Sequence, residues 1–163
     1  MKLKLTPALT GLFAGLLMAA IFLFGYANRD NTKLPIELLA TLAFSAGIIL
    51  SVISYVKSAE NPVKFWATFN VGFRSFIVSI LVMVVFTYVF NKLHPEFKEE
   101  SAAMEKTRIT STEKSKTPIE IDQYIADYKK GYITALVSKT IFGYLIIGAV
   151  VTAVTAAFTS RRK

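Results

Sequence analysis

The hydrophobic positions of this chain are gathered into four long blocks, at residues 7–27, 35–56, 65–91 and 132–158, with polar segments between and beyond them. A helix of about 20 apolar residues crosses a hydrocarbon core of about 30 Å. The blocks therefore predict an all-α integral membrane protein with four transmembrane helices. The first block is uncharged and follows Lys2 and Lys4. Gly25-Tyr26-Ala27 at its end has the small residues of a signal-peptide cleavage site. The block is nevertheless longer than the roughly 7–15 apolar residues of such peptides, so an uncleaved span is expected. The second block has one charge, Glu37 in its first turn, with Pro35 suited to a helix start. Lys57 ends it, and Ser58-Ala59-Glu60-Asn61-Pro62 reads as a turn. In the third block, residues 75–90 are uncharged and rich in Val, Ile and Phe. Arg74 interrupts its earlier part. Residues 65–73 read as an interfacial lead-in that sets Trp66 at headgroup level. Lys139 interrupts the fourth block near its start.

Residues 92–131 form the one long polar segment, an extramembrane loop between the third and fourth spans, and its eight basic and eight acidic residues cancel. Its Ser/Thr/Lys-rich middle, 107–116, is expected to be mobile. Thr117-Pro118-Ile119-Glu120 then has the form of a capping box with proline at the first helical position. Ile121, Tyr124, Ile125 and Tyr128 recur on one helical face. Two readings of 118–130 stay open: an amphipathic helix lying on the membrane, or a plain N-terminal extension of the fourth span. The whole chain, 1–163, is expected as a single transmembrane domain.

Composition adds exclusions. The net charge of +8 sits between and beyond the apolar blocks, with no basic helix face or stacking platform for nucleic acid. Without cysteine and with His94 as the single histidine, the sequence offers no thiol nucleophile and no histidine cluster for zinc or haem, and no cofactor is expected. A nucleophile–base pair and paired buried carboxylates are also missing, so an enzyme is not expected.

Charged groups inside spans are candidate functional residues. Glu37, Arg74 and Lys139 qualify. Arg74 and Lys139 each sit in the outer third of a long helix and can snorkel to the headgroups, with binding of an anionic lipid or a partner as the sharper reading. Glu37 is either a carboxylate favoured by the helix dipole or the partner of Lys139, since the two are expected at similar depth. Asn70 and His94 read as interfacial polar residues. Small residues recur every four positions at Gly11, Gly15 and Ala19, at Ala43, Gly47 and Ser51, and at Gly148, Thr152 and Ala156. Such stripes let helices approach closely in lipid. The third span has no comparable stripe and carries Phe76, Met83, Phe86, Tyr88 and Phe90, so it is expected at the periphery or facing a partner.

Lys2, Lys4, Lys57, Lys64, Arg161, Arg162 and Lys163 fall on one side of a four-span topology, with Arg74 near it. Arg29, Lys33 and the long segment fall on the other. The charges at the termini press directly against the spans, whereas the long segment spreads its own, so both termini are expected in the cytoplasm.

Phe65-Trp66-Ala67-Thr68-Phe69-Asn70-Val71-Gly72, then a long aromatic helix, then His94-Pro95-Glu96-Phe97, and finally Arg161-Arg162-Lys163 after a small-residue helix form a pattern of motifs. It resembles a Bacteroidetes-type family of four-helix membrane proteins carrying a domain of unknown function, DUF4199. The resemblance covers nearly the whole chain. It implies a bacterial inner-membrane location and no catalytic or binding residue. That family's third loop is helical and acid-rich, whereas here it holds the Ser/Thr/Lys stretch. The expected function is a non-enzymatic membrane protein acting by association with itself or another membrane component. The alternative is an oligomeric small transporter or channel subunit.

Overall fold

A computed structural model of the protein describes residues 6–28, 35–59, 62–112 and 117–160. Its elements are α1 (Pro7–Ala27), α2 (Ile36–Ser58), α3 (Phe65–Leu93), α4 (Glu96–Thr112) and α5 (Pro118–Ser160). All regular structure among the described residues is α-helical, and α1, α2, α3 and α5 are each long and apolar enough to cross a membrane. Local chemistry sets their ends. Thr6 caps α1 by accepting the Leu9 N–H at 3.3 Å, with Pro7 at the first helical position. Asn28 closes α1 by donating its backbone N–H and its side-chain amide to the Phe24 carbonyl. The capping box at α5 is complete. The Thr117 N–H donates to the Glu120 carboxylate at 2.7 Å, and the Glu120 N–H donates to the Thr117 hydroxyl at 3.4 Å.

The chain divides into two compact units, residues 1–84 with 140–163, and residues 85–139. In the first unit, small residues let the helices meet. A Cβ on Gly11 would lie 2.1 Å from the Ser75 carbonyl oxygen, and one on Gly15 would lie 2.7 Å from Val82 Cβ, so α1 packs directly on α3. Gly47 of α2 faces Ala14 of α1 in the same way, at 2.5 Å. Gly148 of α5 lies under the Phe76 ring, and Gly72 of α3 receives Thr152 of α5 and Val52 of α2. Phe44 and Tyr144 join α2 to α5, their ring centroids 5.1 Å apart.

The third span is thus central to this unit, touched by all three others, where a position at the periphery or facing a partner is expected from the sequence. Thr68, Val71, Gly72, Ser75, Phe76, Ser79, Ile80 and Met83 are buried along it. The reason is that its small stripe is built from hydroxyl residues and one glycine, Thr68, Gly72, Ser75 and Ser79, among bulky neighbours. Phe76 and Met83, two of the bulky residues on which that expectation rests, fill the interior, while Phe73, Val85 and Tyr88 are exposed.

The second unit corrects the reading of the polar segment. Residues 96–112 are a helix, extending through much of the stretch expected to be mobile; the rest of that stretch, 113–116, lies outside the described residues. Ala102 and Ile109, two turns apart on α4, are buried against Ile121, Ile125 and Tyr128 of α5. The apolar face of 118–130 therefore meets α4. Residues 118–130 form the start of α5, which runs unbroken for 43 residues from Pro118. Lys106 pairs with Asp122 at 2.6 Å, Lys129 with Glu99, and Ser101 Oγ lies 3.2 Å from the Tyr132 hydroxyl. Residues 65–73 are likewise continuous with the third helix.

Candidate functional site

The polar groups of the membrane unit fall into three places. The first is a seam between α1 and α3. Thr10 Oγ1 and Ser75 Oγ are 3.2 Å apart and buried, and Ser79 Oγ donates to the Gly11 carbonyl at 2.8 Å. Thr10 also donates to the Pro7 carbonyl at 2.9 Å. This seam glues two helices whose backbones are already in contact, and it leaves no space for a solute. Serine and threonine hydroxyls supply the polar contacts between these two helices.

The second place lies where α2, α3 and α5 meet. Ser51 and Thr152 are buried to within 2% of full burial, yet among the described residues neither hydroxyl has a hydrogen-bond partner. Thr152 packs its methyl group and hydroxyl against Gly72. Glu37 lies on the same helix as Ser51 but is exposed in the first turn of α2, where Thr41 donates to its backbone carbonyl at 2.8 Å and the Tyr144 hydroxyl stands nearby. Tyr144 had no signal in the sequence, because an aromatic in an apolar block reads as lipid-facing. Lys139 is exposed and belongs to the second unit, so its pairing with Glu37 stays an expectation for a double-mutant cycle.

The third place is a groove of about 580 Å³ lined by Thr6, Pro7, Ala8, Phe73, Arg74, Ile77 and Val78. Arg74 is exposed in it, and among the described residues no carboxylate pairs with the guanidinium. Phe65, Phe69 and Phe73 stack in succession on the same helix, with centroids 5.9 and 6.4 Å apart, and Trp66 is the most exposed aromatic beside them. Of the predicted packing residues, Gly11, Gly15, Gly47 and Gly148 all stand at helix contacts, while Ala43 is half-buried next to fully buried Phe44. Gly72, noticed as a motif glycine and not as a packing residue, is a contact of the same kind.

In the second unit the His94 ring donates its Nδ1–H to the Glu96 carboxylate at 2.8 Å and lies against Phe90 and Phe97. Lys129 donates a hydrogen bond to Glu99 and holds its carboxyl below the ordinary value, outweighing the opposite effect of partial desolvation. Arg108 does the same for Glu105. Among the described residues no group of three or more His, Asp or Glu side chains is placed to hold a metal ion.

These features define a small multi-pass helical membrane protein with a folded helical pair between its last two spans. Nothing among curated proteins or solved structures matches the chain. The family model described as "Protein of unknown function (DUF4199)" matches residues 9–161, and the chain belongs to that family.

Proposed function

We propose that the protein acts by association, binding a further copy of itself or another membrane component, without catalysing a reaction. The observation that carries this reading is the closure of the membrane unit. Gly11, Gly15, Gly47, Gly72 and Gly148 and the hydroxyls of Thr10, Ser75 and Ser79 are taken up by internal helix contacts, down to the approach of Gly11 to the Ser75 backbone, which supports a scaffold and not a pathway. What remains for function is its outer surface. A transporter or channel subunit would need a route between copies, lined by side chains that here are apolar, such as Leu16, Leu17, Leu42, Leu50, Leu81 and Val85.

We also place the protein in a bacterial inner membrane with both termini in the cytoplasm. Supporting this, the basic residues of the polar segment are largely engaged locally. Lys98, Lys106, Arg108, Lys129 and Lys130 each reach a carboxylate within the second unit. The segment spreads its basic residues over about 40 positions, several of them beyond the roughly 15–20 residues from a span that count, whereas the terminal charges adjoin the spans directly.

The test of association is in-membrane cross-linking followed by native mass measurement of the protein extracted in lipid nanodiscs. A discrete oligomer or a stoichiometric complex with another membrane protein is expected. A monomer bound to no other protein at native expression levels would end this reading.

A further inference from the structure

The depth of Arg74 follows from α1. That helix has 21 residues, a rise of about 32 Å at 1.5 Å per residue, which matches a hydrocarbon core of about 30 Å with little to spare. Its capped first turn therefore marks one boundary of the hydrocarbon. Thr6, Pro7 and Ala8 from that turn line the same groove as Arg74, so Arg74 is level with the boundary. Trp66 lies eight residues earlier on α3, about 12 Å farther out, among the headgroups where its amphipathic ring is favoured. Toward the membrane centre the groove continues over Ile77 and Val78, one turn deeper than Arg74.

We propose that this groove binds an anionic phospholipid, with the lipid phosphate on the Arg74 guanidinium and an acyl chain lying along Phe73, Ile77 and Val78. A guanidinium offers the planar pair of donors that matches two phosphate oxygens. The positive end of the α1 dipole opens at the same place and adds to the attraction. Charge complementarity selects the occupant. A cation with no carboxylate partner among the described residues, at phosphate depth and above an apolar wall, suits a molecule carrying both an anionic head and a chain. A free anion would use the guanidinium and leave the wall uncovered.

The experiment is native mass spectrometry of the full chain released from nanodiscs made of equal parts phosphatidylglycerol and phosphatidylcholine. The wild-type protein should retain phosphatidylglycerol over phosphatidylcholine by roughly tenfold, because both carry the phosphate but the choline cation of the latter cancels its charge and opposes the guanidinium. Arg74→Gln should bring that preference to about unity. Ala8→Trp, which fills the groove and leaves the charge, should lower retention of both lipids. Lys57→Gln, removing an exposed cation at the end of α2, should change nothing. Circular dichroism of each variant checks the fold, and Arg74→Lys, keeping the charge without the planar fork, should retain part of the preference if Arg74→Gln does not fold. Equal retention of the two lipids by the wild type would overturn the proposal. So would an equal loss in Lys57→Gln, which means diffuse attraction, or displacement of the lipid by millimolar inorganic phosphate, which means a free-anion site.

Discussion

Gly11 and Gly143 are both glycines inside membrane-spanning helices, yet an added methyl group meets opposite surroundings at each. At Gly11 it would collide with the Ser75 carbonyl, a backbone atom held in its own helix, and at Gly143 nothing stands within 4 Å. Gly11→Ala should therefore destabilise the unit by about 1–3 kcal/mol through forced separation of α1 and α3. Gly143→Ala should stabilise it by about 0.5–1 kcal/mol, because glycine in a helix interior loses more backbone entropy on folding. Thermal unfolding in detergent reads both signs, and a loss at Gly143 would show that its open side is covered. A second contrast concerns hydroxyls. Ser79→Ala removes a bond to the Gly11 carbonyl and should lower stability by about 0.6 kcal/mol, the average for such contacts in a membrane. Thr152→Val replaces a buried hydroxyl that has no partner with a methyl group of similar size, and should raise stability by about 1 kcal/mol. The glycine contacts were legible from their spacing of four. The hydroxyl contrast was not, because a sequence does not say which serine or threonine finds an acceptor.

At the level of elements, α4 is the instructive case. Its mean composition is polar, and its buried face rests on two positions, Ala102 and Ile109, seven residues apart. So thin a stripe is invisible beside a Ser/Thr/Lys stretch, and it acquires meaning only once Ile121 and Ile125 are known to face it. The apolar face of 118–130 was legible, while its partner was not. Ile109→Ala should then cost about 2–5 kcal/mol and release amide protection across 96–112, measured by hydrogen exchange. The same helix pair should respond to acid. Hydrogen bonds from Lys129 and Arg108 lower the carboxyls of Glu99 and Glu105 below the ordinary 4.5. A lowered carboxyl adds stability that is present above the ordinary value and is lost as pH falls through the lowered one. Amide protection of α4 should accordingly be flat near neutrality and fall below about pH 4.5. In Lys129→Met the fall should be shallower, and an unchanged slope would remove Glu99 from the account. The aromatic content of α3 misled for a related reason. Phe76 and Met83 are large, but the facing residue at Phe76 is Gly148, and a large side chain over a glycine is interior packing.

On the scale of the whole molecule, the number of spans and their order were readable from block length, because lipid imposes a length that soluble folding does not. The helix neighbours were not readable, since lipid rewards any apolar exterior equally and only the close contacts choose a partner. The orientation gives a direct prediction. A reporter fused after Lys163 should be active as a cytoplasmic enzyme and silent as alkaline phosphatase, and phosphatase activity there would reverse the topology. The contact between α1 and α3 has one more consequence, in the order of synthesis. Thr10 and Ser75 are separated by 65 residues, and α2 lies between them. At about 5–20 residues per second, the ribosome needs on the order of 3–13 s to deliver the partner of α1 after α1 itself has emerged. Throughout that interval the nascent chain holds a glycine face with no helix to fill it. Newly inserted α1 and α2 are thus an incomplete substrate for quality control, and a chain that stalls before α3 is the form that a membrane protease or insertase would meet.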